Sequence, residues 1–467
     1  MSKDWSPLRT KLLATLRPSD KEVKALEVFI HRLESELSRL LTDSGFMGEA
    51  RVHGSTARGT WISGDTDIDL FFVLDPKHGK GVLPRILDLL KDYLGDNWVE
   101  AYAEHPYLQA VVDGFAVDFV PCFRVDPSRG LVSSTDRTPL HTDFVRAHLP
   151  RGGSDEVLLL KQFMKGIGVY GAEMKVEGFS GYLCELMVIH YGSFMGVLER
   201  ATIWESGEVI DIFGEHDLDV QRKRYDDSLI VVDPVDSRRN VASALSLTSF
   251  SVFSAAARAF LVSPDMRFFY PVKVDVASKD LDALIQGVPA EILFLVLDDG
   301  SVGVPDVLWG ELYRSMKALT QELVRSGVIL IRSAVWSDEE SRHVFVFMVE
   351  SSIIPGVVKR SGPPVSRDVD SGRFLKVHNG SESTVSGPWV EGDRWVVLKR
   401  RVVTDVRKLL ESSLIDGGRS IGISKKLGAR VGTSYSVFSG EKVSEIYTPT
   451  FAQFLAEFIR GRPAWLD

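Results

Sequence analysis

Between residues 54 and 74 the chain passes from a short turn, Gly54-Ser55-Thr56-Ala57-Arg58, into an apolar run, Leu70 to Leu74, entered through two aspartates separated by a single isoleucine. Alternate side chains of a strand face opposite ways, so Asp67 and Asp69 share one face about 7 Å apart, while Ile68 and Leu70 share the other. Two carboxylates held side by side repel each other, and a divalent cation is the natural partner of such a pair. With small turn residues upstream, the pair suits a metal-bound triphosphate.

A second strand pair follows. Ala110-Val111-Val112 and Phe115 to Val120 are separated by Asp113-Gly114, a strong hairpin signal. Asp118 stands there among Val117, Phe119 and Val120. It is either a solvent-facing strand residue or a third carboxylate brought beside Asp67 and Asp69, since a charge in that setting is costly unless paired. Three carboxylates are a sufficient set to hold two metal ions that clamp the attacking and leaving oxygens of a phosphoryl displacement.

Helical spacing brackets these strands. Ser19 and Glu22 make a capping box before Leu26, Ile30, Leu33, Leu37 and Leu40, and the pattern stops at Gly45. Val82 to Tyr93 repeats the spacing and ends at Gly95. From 155 to 260 the character is mainly helical, with one strand at Ile230-Val231-Val232. From Phe268 to Val274 onward strands alternate with helices: strands at 291–297, 327–332 and 343–349, and a helix at 305–325. Gly362-Pro363-Pro364 predicts a long surface loop to about 387, and Trp389 and Trp395 flank a turn.

Length and composition set outer limits. A chain of 467 residues exceeds one ordinary core. The N-terminus carries charge and proline where a secretory signal needs an apolar run, and no segment reaches eighteen uninterrupted apolar residues, so a cytoplasmic protein with no membrane partner is expected. Cys122 and Cys184 form no C-x-x-C pair and read as buried thiols. The net charge of -9 argues against indiscriminate coating of nucleic acid. Basic residues do segregate late in the chain, at Lys399, Arg400, Arg401, Arg407, Lys408, Arg419, Lys425, Lys426 and Arg430. They form either a solvated face or a contact for RNA phosphates whose affinity falls with salt. No P-loop, kinase glycine loop or H-E-x-x-H motif supports a rival chemistry.

Motifs in order sharpen this picture. The turn at 54–58, Asp67-Ile68-Asp69-Leu70-Phe71, Ala103-Glu104-His105-Pro106-Tyr107, Val117-Asp118-Phe119-Val120-Pro121-Cys122, Asp136-Arg137-Thr138-Pro139, Tyr170-Gly171-Ala172-Glu173, Gly178 to Leu186 and Val232-Asp233-Pro234-Val235-Asp236 follow the order seen in archaeal, class I CCA-adding enzymes. The chain resembles that family strongly over residues 50 to 245. The resemblance implies an α+β multidomain protein: a nucleotidyltransferase-fold head at 1–150, a mainly helical neck at 151–262, and an α+β body and tail at 263–467. It implies template-independent addition of C, C and A to tRNA from CTP and ATP, with two Mg²⁺ ions held by Asp67, Asp69 and Asp118. Many archaeal members carry glutamate at the position of Asp67, whose shorter arm keeps the charge.

By the same resemblance, Ser55, Arg58, Thr138, His141, Lys161 and Tyr170 hold the triphosphate and Arg239 reads the base. Taken singly, His141 would be a surface residue, Lys161 a solvated charge and Tyr170 a core aromatic. The implied RNA contact is the acceptor and T-stem half of tRNA, and the sequence leaves a homodimer open. A poly(A)-polymerase-like or oligoadenylate-forming enzyme shares the chemistry with another acceptor, and an RNA-binding module on a retired fold would lack the three aspartates.

Overall fold

In the computed structural model, residues 4–102, 106–125, 134–272, 276–298, 304–431 and 434–466 are described. Ala103-Glu104-His105, Lys273-Val274 and the side chain of Arg430 lie outside them. The chain divides into two compact units, one formed by Met1–Val272 with Pro463–Asp467 and the other by Lys273–Arg462.

The first unit opens with α1 (Ser6–Leu16) and α2 (Asp20–Asp43), and the Ser19–Glu22 capping box forms in both directions. Next come β1 (Gly48–His53), α3 (Gly54–Arg58), β2 (Asp67–Leu74), α4 (Val82–Leu94), β3 (Val99–Tyr102), β4 (Pro106–Val112) and β5 (Phe115–Phe123). The strands form one mixed sheet in the order β1-β2-β5-β4-β3, in which only β2 and β5 run parallel. The expected hairpin joins β4 to β5, with Asp113 and Gly114 both at positive φ (50° and 85°), as a two-residue turn of that hand requires.

Period two decides which face is buried. Ile68, Leu70, Phe72, Val117 and Phe119 pack under Phe29, Leu33 and Leu37 of α2 and Ile86 and Leu90 of α4. Each such side chain contributes roughly 2 kcal/mol by leaving water, so slipping β2 by one residue would bury its aspartates and expose that core. The register is therefore strongly specified, and Asp67, Asp69 and Asp118 are left on the uncovered face.

α5 (Arg137–His148), α6 (Gly153–Gly166), α7 (Gly181–Tyr191) and α8 (Phe194–Ala201) continue the unit, followed by β6 (Glu208–Ile210), α9 (Leu218–Arg224), β7 (Leu229–Asp233), β8 (Asp236–Asn240) and α10 (Leu247–Val262). The strand expected at 230–232 is the middle of a three-stranded sheet, β6-β7-β8, so Arg239 sits on a strand. Phe268 and Phe269 enter no strand. They are buried with Phe163 and Phe260 in the helical core, and Trp465 stacks on Phe268 at 5.8 Å. Cys122 and Cys184 are free and buried.

The second unit contains α11 (Ser278–Gln286), β9 (Glu291–Asp298), α12 (Pro305–Arg325), β10 (Leu330–Ser337) and β11 (Arg342–Val349). With β15 (Tyr435–Ser439) the strands form the sheet β10-β11-β9-β15, covered on one face by Trp309 and Leu312 of α12 and on the other by Phe451 and Leu455 of α16 (Pro449–Arg460). β10 begins three residues later than expected because Gly327, at φ 86°, first turns the chain out of α12.

The loop predicted from Gly362 to 387 is wrong. β12 (Val357–Pro364), α13 (Asp368–His378), β13 (Thr384–Glu391) and β14 (Arg394–Arg400) form a three-stranded sheet with its own helix. Gly362 is there for proximity: a Cβ on it would lie 2.6 Å from the Phe374 ring of α13, and the prolines fall at a register irregularity of an edge strand. Some of the late basic residues lie on β14, and others on α14 (Val406–Ser413) and α15 (Lys425–Val431). Among the described residues no single helix is long and apolar enough to cross a membrane.

Candidate active site

Strand pairing assembles the carboxylates. In the parallel register of β2 and β5, Asp69 lies opposite Asp118 and Asp67 opposite Ala116. All three aspartates line one cleft of about 1070 Å³ with Ser55, Trp98 and Gln109. Burial and the neighbouring Asp118 push the Asp69 carboxyl up to about 7, outweighing the attraction of Arg58. Burial also raises Asp118, although Gln109 Nε2 donates to its Oδ1 at 2.9 Å. Among the described residues no three His, Cys, Asp or Glu side chains form a ready-made coordination shell, so the carboxylates share the cleft without closing on one point. An oxygen-only donor set whose mutual repulsion is only partly offset by Arg58 and Gln109 fits a hard divalent cation.

The Gly54-Ser55 turn is bound to this pair by space. Gly54 has φ +69°, and a Cβ there would stand 1.9 Å from Asp69 Oδ2. We expect Gly54→Ala to cut turnover at this cleft by about two orders of magnitude, since a misplacement of 1 Å at a reacting centre costs that much. Steady-state assays check this, and wild-type kcat would refute the close-approach argument. α3 has only five residues and ends at Gly59, so the turn offers the Ser55 hydroxyl and its backbone N–H groups rather than a long helix dipole.

Behind the turn lies a buried ionic cluster centred on Glu185, which is 0% exposed on α7. Its Oε1 accepts from Arg58 Nε at 2.9 Å and from the Thr60 hydroxyl, while Oε2 is buried with no hydrogen-bond partner among the described residues. Lys161 Nζ, equally enclosed, donates to the Thr60 carbonyl at 2.8 Å, and burial lowers its pKa against the attraction of Glu185. A Cβ on Gly181 would approach both the Tyr170 hydroxyl (3.1 Å) and Lys161 Nζ (3.4 Å), so these two groups converge at the start of α7. Of these three side chains two are cationic and one anionic, so Arg58, Lys161 and Glu185 together carry about +1, suited to an incoming polyanion.

His141 and Arg239 meet elsewhere, at Asp233. Both His141 Nε2 and Arg239 Nη1 lie 2.9 Å from Asp233 Oδ2. The His141 ring stacks on Tyr182 at 4.0 Å, one turn before Glu185 on α7, and the buried Tyr182 hydroxyl has no partner among the described residues. Arg58 Nη1 reaches the Thr142 hydroxyl at 3.4 Å, and that hydroxyl donates to the carbonyl of Thr138. The expected residues thus gather in three groups: Ser55 with the aspartates, Arg58 with Lys161 and Tyr170, and His141 with Arg239. Thr138 is linked to the second group through its backbone.

Sequence reasoning missed Glu185, Thr60 and Tyr182 as members of the site. Glu185 had a usable signal, because a carboxylate inside Leu183-Cys184-Glu185-Leu186-Met187 is as improbable without a partner as Asp118 between valine and phenylalanine.

A mixed sheet presenting three carboxylates beside a glycine-serine turn is the arrangement of a nucleotidyltransferase, and residues 30–141 match the nucleotidyltransferase domain family. Residues 155–270 match the second domain of tRNA nucleotidyltransferases, and 292–440 the C-terminal domain of CCA-adding enzymes. The CCA-adding enzyme of Methanosarcina acetivorans is 34% identical over 98% of this chain and 100% of its own length. That of Pyrobaculum islandicum is 36% identical over 89% and 94%, and that of Sulfolobus acidocaldarius 38% over 86% and 90%. The chain belongs to the CCA-adding enzyme family.

Proposed function

We propose that the protein adds C, C and A, without a nucleic-acid template, to the 3′ end of tRNA from CTP and ATP, releasing pyrophosphate. The observation that carries this reading is the placing of Asp67, Asp69 and Asp118 around one cleft beside Gly54-Ser55, in a chain of this family. The RNA 3′-hydroxyl oxygen attacks the α-phosphorus, the bond from that phosphorus to the bridging oxygen breaks, and the hydroxyl proton passes to solvent.

In this reading Asp67, Asp69 and Asp118 would hold two Mg²⁺ ions, and when bound these would supply neutralisation of phosphate charge and a lowered pKa for the attacking hydroxyl. Ser55, Arg58, Thr138, His141, Lys161 and Tyr170 hold the triphosphate, and Arg239 reads the base. Glu185 holds the Arg58 guanidinium in place, and the enclosure of Lys161 keeps water from screening its charge on the leaving phosphates. Residues 1–150 act as head, 151–262 as neck and 263–467 as body and tail. The basic residues of the last contact the acceptor and T-stem backbone, in the cytoplasm.

Labelled CTP and ATP incubated with tRNA lacking CCA should yield an RNA three nucleotides longer, the known length of the CCA end. Excess EDTA should abolish the product and Mg²⁺ restore it. A homopolymeric tail, or a product made without RNA, would replace this reading with a poly(A)-polymerase-like or oligoadenylate-forming one.

A further inference from the structure

Asp233 ends the buried strand β7 and is itself fully buried, yet it belongs to neither the aspartate cleft nor the Glu185 cluster. Its Oδ1 accepts the Val235 N–H at 3.1 Å, and its Oδ2 lies 2.9 Å from both His141 Nε2 and Arg239 Nη1. We propose that Asp233 is the positioning residue that sets base selectivity, by fixing the Arg239 guanidinium in the orientation in which it reads the base and tying that orientation to His141. This rests on the assignment of Arg239 to the base and of His141 to the triphosphate.

The chemistry follows from the fork. A guanidinium is planar and carries only donors, so an unanchored one turns to suit whatever edge is offered. With Nη1 bonded to a buried carboxylate at 2.9 Å, one arm of the fork is anchored and the directions open to the remaining donors are restricted. Cytosine and adenine each present an unprotonated ring nitrogen on the Watson–Crick edge, N3 and N1 respectively. Uracil and guanine carry an N–H at the same places, so a fixed donor would meet a donor. A site whose buried polar groups are left unpaired rejects the wrong partner far better than shape alone.

The shared Asp233 oxygen also couples Arg239 to His141. His141 is clamped between the Tyr182 ring on one face and Asp233 at Nε2, so its Nδ1 is the ring nitrogen left for phosphate. A base that displaces Arg239 from Asp233 Oδ2 therefore also loosens His141, and base fit is felt at the triphosphate. Asp233 is itself held by its strand and by the Val235 N–H, which makes it a fixed post rather than a third moving part.

The test measures kcat and KM for CTP, ATP and UTP with tRNA acceptors ending before C, C and A, in wild type, D233N, R239K and D233N/R239K. Wild-type incorporation of CTP and ATP is required first, and its absence would refute the proposed function rather than the role of Asp233. D233N, with a thermal unfolding midpoint near wild type, should lower the CTP-over-UTP ratio of kcat/KM by about 10-fold or more, in line with losing a directional hydrogen bond. R239K keeps the charge but not the planar fork, and should lose selectivity to a similar extent. The double variant should be no less selective than either single one, because both changes remove the same fixed donor. Wild-type selectivity in folded D233N, or in R239K should D233N not fold, would overturn the proposal. So would losses that add in the double variant.

Discussion

Asp69→Asn is expected to slow nucleotide incorporation by about 10²- to 10³-fold or more, the range for losing one principal electrostatic contact to a transition state, while making the metal-free protein more stable. The two effects have one cause. The Asp69 carboxyl is pushed up to about 7 from 3.8 by burial and by Asp118 across the parallel pair. Because the folded pKa lies above the unfolded one, the unfolded chain releases this proton first. The penalty is absent below about pH 4, grows between pH 4 and 7, and is complete above 7. A rise from 3.8 to about 7 sets a ceiling of about 4 kcal/mol, reduced by the solvent that reaches the cleft. Asparagine removes the charge and keeps the shape. In EDTA, denaturant unfolding of Asp69→Asn should therefore show a gain over wild type at pH 8 and none at pH 4. An equal change at both values would mean that the repulsion among the aspartates is not what strains this face.

Why the aspartates could be read from sequence, and other parts of the site could not, is a matter of range. Strand alternation and the Asp113-Gly114 turn are local signals. They put Asp67 and Asp69 on one face and fix the register of Asp118 against Gln109. The parallel pairing that puts Asp69 opposite Asp118 joins strands about fifty residues apart, and here the ordered motifs of the family supplied what periodicity does not. Glu185 and Asp233 lie inside quoted motifs, but their roles depend on partners 127 and 92 residues away, Arg58 and His141. The strands from 357 to 400 were hidden by Gly362-Pro363-Pro364, whose composition signals a turn while its function is to let Phe374 lie against a strand. Composition describes what a backbone can do by itself, and in that case a ring from α13 decided what it did.

Glu185→Ala should produce the largest loss of stability of any single change in the site, about 3–5 kcal/mol, the cost of stranding buried charges by removing their partner. The wild-type carboxylate, fully buried, holds Arg58 directly and offsets the charge of Lys161 through space. Without it Arg58 loses the carboxylate it is hydrogen-bonded to, and both enclosed cations keep only the through-space attraction of Asp69. Glu185→Gln should cost less than the alanine change, because its amide oxygen still accepts from Arg58 and Thr60 although the charge is gone. The ligand gives the decisive comparison. A triphosphate is itself an anion, so CTP with Mg²⁺ should restore to Glu185→Gln part of the stability that it lost, raising its denaturant midpoint by more than it raises that of wild type. If the cluster is only structural packing, CTP with Mg²⁺ will raise the midpoint of Glu185→Gln by no more than it raises that of wild type at the same CTP concentration. An alanine variant that unfolds at the wild-type denaturant concentration would show that Arg58 and Lys161 are neutralised by something other than Glu185.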